Sequence, residues 1–212
     1  MPKLWKAKTD DKHFVEPPEK LAGREFEDAC LVDVAHHLAK NKEPDFTFSR
    51  YGIQSATVFE KDGKSFTRPI KSLPDFEGVL APDGVQFIFD CKVCSQASFG
   101  SNEFRKFLEG RQFKHLLKRS EFGAVCFLLI HWNARELVRS KTEAVTYALP
   151  VTSSLKFWDD VSNGVELSLS RAACGEYGIH CPWWIPSGCK VARPDFQSLL
   201  TGLVDRWGSE VV

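Results

Sequence analysis

Three charged residues are spaced so that a β-sheet would bring them together: Asp75, after Pro74, and then Asp90 and Lys92. The sequence between them, FEGVLAPDGVQFIF, holds two alternating apolar runs around Ala81-Pro82-Asp83-Gly84. Pro at the second turn position and Gly at the fourth is a type I signature, so a β-hairpin is expected. A turn centred between Pro82 and Asp83 sets Asp75 directly opposite Asp90. Opposed side chains in a sheet sit about 5 Å apart at Cβ, and like charges there repel. The two-residue period puts Lys92 on the same face as Asp90. Two carboxylates and an ammonium on one patch are costly, and a divalent cation is the natural way to remove the repulsion. Oxygen ligands suit Mg²⁺, with Mn²⁺ as its substitute. The alternative is a solvated strand face with a salt bridge. Phe87-Ile88-Phe89 argues against that, because such a run belongs to a central, buried strand.

The elements that must position these residues follow from periodicity. Residues 1–20 are polar, contain Glu16-Pro17-Pro18-Glu19, and are expected to form a mobile N-terminal arm. Residues 21–212 are of single-domain size. Phe26, Ala29, Cys30, Val34 and Leu38 mark a first helix from Leu21 to about Lys40. Residues 45–72 read as a β-ribbon turning at Lys61-Asp62-Gly63-Lys64. Its Phe46, Phe48, Tyr51, Phe59 and Phe66 would make a small core of their own or stack on bases. A helix is expected from roughly Ser101 to Lys118, with Leu108, Gln112 and His115/Leu116 along one stripe. Strands are expected over Ala124–Trp132 and Ala144–Val151, and a short helical turn over Leu155–Val161. Residues 164–194 read as irregular. A last helix, Asp195–Trp207, would be capped by Asp195. The order is that of an α/β sheet with helices on its faces.

Composition sets bounds. Lys and Arg number 28 and so do Asp and Glu, so net charge does not advertise a nucleic-acid partner. Locally, Arg105, Lys106, Arg111, Lys114, Lys118 and Arg119 face only Glu109. That stretch is a solvated helix face, or a phosphate-contacting one if it lies beside the carboxylates. The longest apolar run, Ala124 to Ile130, is far short of a membrane span, so no membrane partner is expected. The N-terminus lacks a signal-peptide core, and a cytoplasmic protein is expected. The seven cysteines are odd in number and scattered, which suits a reducing compartment. Cys174, His180, Cys181 and Cys189 fit no strong zinc pattern, and structural Zn²⁺ is not expected. Cys91 should face away from the carboxylates and pack as a small hydrophobe.

The residues resemble a known family. Pro74-Asp75, Asp90-x-Lys92 and a following helix with Gln112 look like the core of the PD-(D/E)xK nucleases. A longer match, from Gly23-x-x-Phe26-Glu27-Asp28 through Asp75-Phe76-Glu77-Gly78-Val79, Arg111-Gln112-Phe113 and Gly123 to Ile130 as far as Phe157-Trp158, resembles RecU-type Holliday-junction resolvases. The resemblance implies a restriction-endonuclease-like mixed β-sheet flanked by helices, with the ribbon as a protruding stalk. It implies a Mg²⁺-dependent DNA endonuclease, a homodimer, that resolves four-way (Holliday) junctions by paired symmetric nicks. Asp75, Asp90 and the backbone carbonyl of Cys91 would hold the metal, with Glu27 joining through water. Lys92 would position or deprotonate the attacking water, and Gln112 would orient it. Arg24, Arg50, Arg68, Lys71, Lys106, Lys114 and Lys118 are the candidate phosphate contacts. The chain departs from the family pattern at Asp90, where Glu is usual, at Cys91, where Ala is frequent, and at Glu77, where Asn is expected. Two other functions stay open: a PD-(D/E)xK endonuclease acting on linear duplex, and a catalytically weak junction-binding protein.

Overall fold

A computed structural model describes residues 13–41, 44–51, 55–59, 65–69, 74–100, 106–137, 140–163, 168–186 and 189–210. The first half runs β1 (His13–Val15), α1 (Gly23–Lys40), β2 (Phe46–Arg50), β3 (Ser55–Phe59), β4 (Ser65–Pro69), β5 (Phe76–Leu80), β6 (Val85–Cys94), β7 (Ser98–Gly100) and α2 (Arg111–Glu121). The second half runs β8 (Val125–Trp132), β9 (Arg135–Leu137), β10 (Ser140–Thr142), β11 (Val145–Pro150), α3 (Val151–Ser162), β12 (Ser168–Ser170), α4 (Arg171–Tyr177), β13 (Ile179–His180), β14 (Trp183–Ile185), β15 (Arg193–Pro194) and α5 (Phe196–Glu210).

The core is a six-stranded mixed sheet in the order β13-β11-β8-β6-β5-β2. Strands β6 and β8 are parallel, and the other pairings are antiparallel. A parallel pair needs a crossover, and α2 lies within it, covering one face. Both faces are sealed, which explains why every residue of β8, VCFLLIHW, is buried. This is the α/β architecture the sequence order implied. Among the described residues no helix is long and apolar enough to cross a membrane.

Alternation along β6 divides the molecule. Phe87, Phe89 and Cys91 pack with Phe26, Cys30 and Val34 of α1 and with Phe196, Leu199, Leu200 and Leu203 of α5. Ile88 and Cys94 pack on the other side with Phe113 and Leu116 of α2 and Phe157 of α3. Asp90 and Lys92 share the parity of Ile88, so they belong to the α2 face. Beneath them, Phe89 stacks on Phe76 at 4.9 Å and on Phe127 at 5.1 Å. Phe76 is also the cross-strand partner of Phe89. Gly78 lets β2 and β6 close around this stack: a Cβ there would meet Phe87 Cζ and the Thr47 carbonyl oxygen at 2.4 Å.

Several elements differ from expectation. The ribbon is narrower: β3 and β4 pair with each other as a separate two-stranded sheet, while Phe46–Arg50 joins the main sheet beside β5. Phe46 and Phe48 accordingly lie in the main core. The N-terminal segment is tied down from His13 onward, by pairing with β14 and by Asn133, whose side chain bonds both the N–H and the carbonyl of Leu21. Residues 1–12 lie outside the described residues. The expected helix over 101–118 is interrupted: Lys106–Leu108 form one turn, Gly110 breaks it, and α2 begins at Arg111. The segment expected to be irregular supplies α4, the edge strand β13 and the small sheet β1-β14-β15. Pairing to distant partners built these short strands, and local pattern did not signal it. Asp195 does cap α5, accepting from the Ser198 N–H at 3.2 Å and the Ser198 hydroxyl at 2.6 Å.

Helix α1 buries one carboxylate, Asp33, which accepts from Trp184 Nε1 at 3.1 Å. The Arg193 guanidinium lies 5.3 Å from the centre of the Trp184 ring. Burial raises the Asp33 pKa to about 7, against the opposing pull of the Trp184 hydrogen bond and of Arg193. The unfolded chain would release this proton near the ordinary aspartate value of 3.8. Between those values the folded state binds more protons, so Asp33 makes stability fall as pH rises from about 4 to about 7. Thermal melts of Asp33→Asn across that range should decline less steeply than those of the wild type. Equal slopes would contradict the assignment.

Candidate active site

Strand register assembles the site. Pairs Phe76–Phe89 through Leu80–Val85 fix β5 against β6, and one further step sets Asp75 opposite Asp90. This is the register inferred from the turn. The Asp75 carbonyl accepts the Tyr51 N–H at 2.8 Å, which prolongs the β2–β5 pairing by one residue. Asp90 in turn pairs with Leu128 of β8. Tyr51, Asp75, Asp90 and Leu128 thus form one row across four strands. Gly84, at φ 68°, closes the hairpin in a left-handed conformation that favours glycine.

Asp90 is 0 % exposed, and among the described residues neither of its carboxylate oxygens accepts a well-aligned hydrogen bond. The Lys92 ammonium contacts Oδ2 as an ion pair. Burial raises the Asp90 pKa to about 7; Lys92 opposes the rise, and the neighbouring Asp75 carboxylate adds to it. Asp75 Oδ2 accepts the Cys91 N–H at 2.8 Å, which turns its carboxylate toward β6. Lys92 is about a third exposed, and its ammonium lies 5.2 Å from the centre of the Phe107 ring. A buried carboxylate with unmet acceptors beside a second carboxylate is unfavourable unless a cation joins them.

These donors fit a hard divalent cation. The orphaned oxygens of Asp90 and the adjacent Asp75 are carboxylates of the kind Mg²⁺ and Mn²⁺ take. Among the described residues, no group of three or more His, Cys, Asp or Glu side chains gathers around one point. The chain would therefore offer two carboxylates and the Cys91 carbonyl, with water and phosphate completing the shell, as Mg²⁺ tolerates.

Gln112 stands half-buried in the first turn of α2, which packs through Phe113, Leu116 and Ser120. One turn on, His115 Nε2 lies 3.2 Å from the Tyr51 hydroxyl, with the two rings edge-on at 5.5 Å. Burial lowers the His115 pKa, Arg119 and Lys118 act in the same direction, and Glu77 opposes them. Arg119 donates to Gln86 of β6. Tyr51, His115, Glu77 and Arg119 therefore form a second polar group next to the carboxylates. Sequence reasoning placed Tyr51 in the ribbon and His115 in a helical stripe. Extending the hairpin register to β2 would have revealed Tyr51, whereas His115 needed the docked position of α2.

The remaining expected residues distribute differently. Glu27 sits on α1, over the opposite face, and forms an ion pair with Arg50. Arg50 also donates to Asp28 Oδ1 at 2.8 Å and lies 5.7 Å from the centre of the Phe76 ring. Glu27 and Arg50, expected to contact metal and phosphate separately, thus engage each other. Arg24 is exposed at the start of α1, and Lys106, Lys114 and Lys118 are exposed on or just before α2. The Arg68 side chain and all of Lys71 lie outside the described residues. Cys91 packs on the α1 face and Cys94 on the α2 face. Cys174 and Cys181 are likewise buried in clusters on opposite faces, and Cys189 is exposed.

A cation between Asp75 and Asp90 should stabilise the fold. Millimolar Mn²⁺ or Mg²⁺ should raise the melting temperature of the wild type by several degrees over the protein in chelator. Asp90→Asn should melt higher than the wild type in chelator and gain nothing from metal. An equal metal-induced rise in both proteins would place the cation elsewhere.

The family model described as RecU, Recombination protein U, matches residues 61–184, more than half of the chain. The chain has no match among curated proteins. Among solved structures it is similar to Hjc, a Holliday junction resolvase of the archaeal hyperthermophile Archaeoglobus fulgidus. The two share 13 % identity over 74 % of this chain and 95 % of that one, with a TM-score of 0.36.

Proposed function

The chain belongs to the Recombination protein U family, and from that premise we propose that it is a divalent-metal-dependent endonuclease that resolves four-way DNA junctions. The observation that carries this reading is Asp90, buried with two unmet oxygens, opposite Asp75 and in contact with Lys92. When bound there, Mg²⁺ would supply Lewis-acid stabilisation of the phosphate and an acidified water. Asp75 and Asp90 hold and orient the donor oxygens, and burial keeps competing water away from them. Lys92 would face the scissile phosphate and offset the charge that builds on it. Gln112, at the start of α2, orients the attacking water. Water adds to phosphorus as the bond from phosphorus to the leaving sugar oxygen breaks; the water gives up a proton to solvent, and the sugar oxygen takes one from solvent and leaves as a hydroxyl.

Exposed Lys106, Lys114 and Lys118, on or just before α2, supply contacts to the DNA backbone, with exposed Arg24 on α1 as a further candidate. The β3–β4 ribbon is the element proposed to enter the junction. Resolution requires two cuts related by symmetry, so two chains act together. All seven cysteines are free, which suits action in the reducing cytoplasm.

The test is cleavage of a labelled four-way junction in Mg²⁺, beside a linear duplex of the same arms. Paired symmetric nicks on the junction alone are expected. Lys92→Ala should slow them by about 10²-fold or more, as for a lost electrostatic stabiliser. Equal cutting of both substrates would discard the junction role. Junction binding without cutting would leave a binding platform.

A further inference from the structure

On the face that carries Asp90, a cavity of about 350 Å³ opens beside Lys92. Leu128 and Ile130 floor it, and these are the β8 neighbours of Asp90 and Lys92. Phe99 and Leu169, cross-strand partners in the β7–β12 pair, form one side. Phe107, from the turn before α2, lines it as well, and Lys106 adds a second ammonium. Its aromatic walls are braced: Phe99 packs edge-on against Trp132 at 5.5 Å, and Phe107 against Phe113 at 5.6 Å. The described lining residues are apolar except for two lysines, and none is acidic.

This lining calls for a flat apolar group joined to an anion. A nucleotide is such a group, with a base to stack on aromatic rings and a phosphate for the ammoniums. We propose that the cavity is a nucleobase subsite, which takes up the base flanking the scissile phosphate after it has left the stack. The assignment rests on the nuclease reading, because a phosphate held at Asp75, Asp90 and Lys92 brings the adjoining base to the cavity mouth. Extruding a base costs least where it is already unpaired or has lost a stacking neighbour. Nucleotides at the branch point of an open junction meet that condition, and those inside a linear duplex do not. The cavity would thus turn branch geometry into selectivity at the cut itself, separately from any contact made by the ribbon.

The experiment uses full-length Asp90→Asn to hold the junction uncut, with 2-aminopurine placed at each position around the cleaved phosphate. A severalfold rise in fluorescence on binding is expected at one flanking position, and Phe107→Ala in the same background should abolish it. In the active protein, Phe107→Ala should cut the junction about tenfold more slowly, as for one lost base–aromatic stack. Its affinity for the junction should stay within about twofold of the wild type. A junction abasic at that position should be cut by the wild type about tenfold more slowly, and equally fast by both proteins. The abasic arm needs only the wild type, so it decides the matter even if Phe107→Ala fails to fold. Normal junction cutting with silent 2-aminopurine and no abasic penalty would overturn the subsite and leave the nuclease standing. A wild type that neither binds nor cuts the junction would overturn both.

Discussion

Asp90 lies fully buried in the middle of a sheet with neither carboxylate oxygen hydrogen-bonded, and the residue across the strand is a second carboxylate. Burial and the Asp75 carboxylate both push its pKa up, to about 7. Lys92 relieves part of the charge without satisfying the oxygens. A fold that keeps such a group at its centre sacrifices stability for something, and a divalent cation held by Asp75 and Asp90 would remove the cost and supply chemistry. The rest of the site follows from that constraint: hard oxygen donors with an ammonium within reach.

The opposite face of the sheet holds this arrangement in place. Phe76, Phe89 and Phe127 stack beneath the carboxylate row, and Phe48 packs on Phe196 at 4.7 Å. A one-residue slip of β5 would pull Phe76 out of the stack and turn its side chains to the wrong face. The aromatic core therefore fixes the separation of Asp75 from Asp90 from the far side of the backbone. Gly78 permits the close approach of β2 on which that core depends. The aromatic stack lies on the α1 and α5 side, while the α2 side carries the site residues beside an apolar cluster of its own.

Much of this was legible in the sequence, for identifiable reasons. The hairpin register followed from one turn and a strict period of two, and it placed Asp75, Asp90 and Lys92 correctly on one face. The buried character of β6 and β8 followed from unbroken apolar runs. What failed was everything decided by distant pairing. Phe46 and Phe48 look like ribbon residues until β2 is known to pair with β5. Residues 164–194 look irregular because their strands are two or three residues long and borrow partners from β7, β11 and β1. Glu27 pairs with Arg50, a partner that helical periodicity does not reveal. Tyr51 was within reach once β2 is set beside β5, whereas His115 was not, because its meeting with Tyr51 depends on how α2 docks.

The central claim is that Asp75 and Asp90 share a divalent cation, and the most direct measurement is a crystal structure grown with Mn²⁺ and phased at its absorption edge. An anomalous peak between the two carboxylates, within about 2.0–2.3 Å of an oxygen from each, is the expected result. Lys92 should then have moved off Asp90. Saturating Mn²⁺ with no peak at that position, and with Lys92 still paired to Asp90, would contradict the claim.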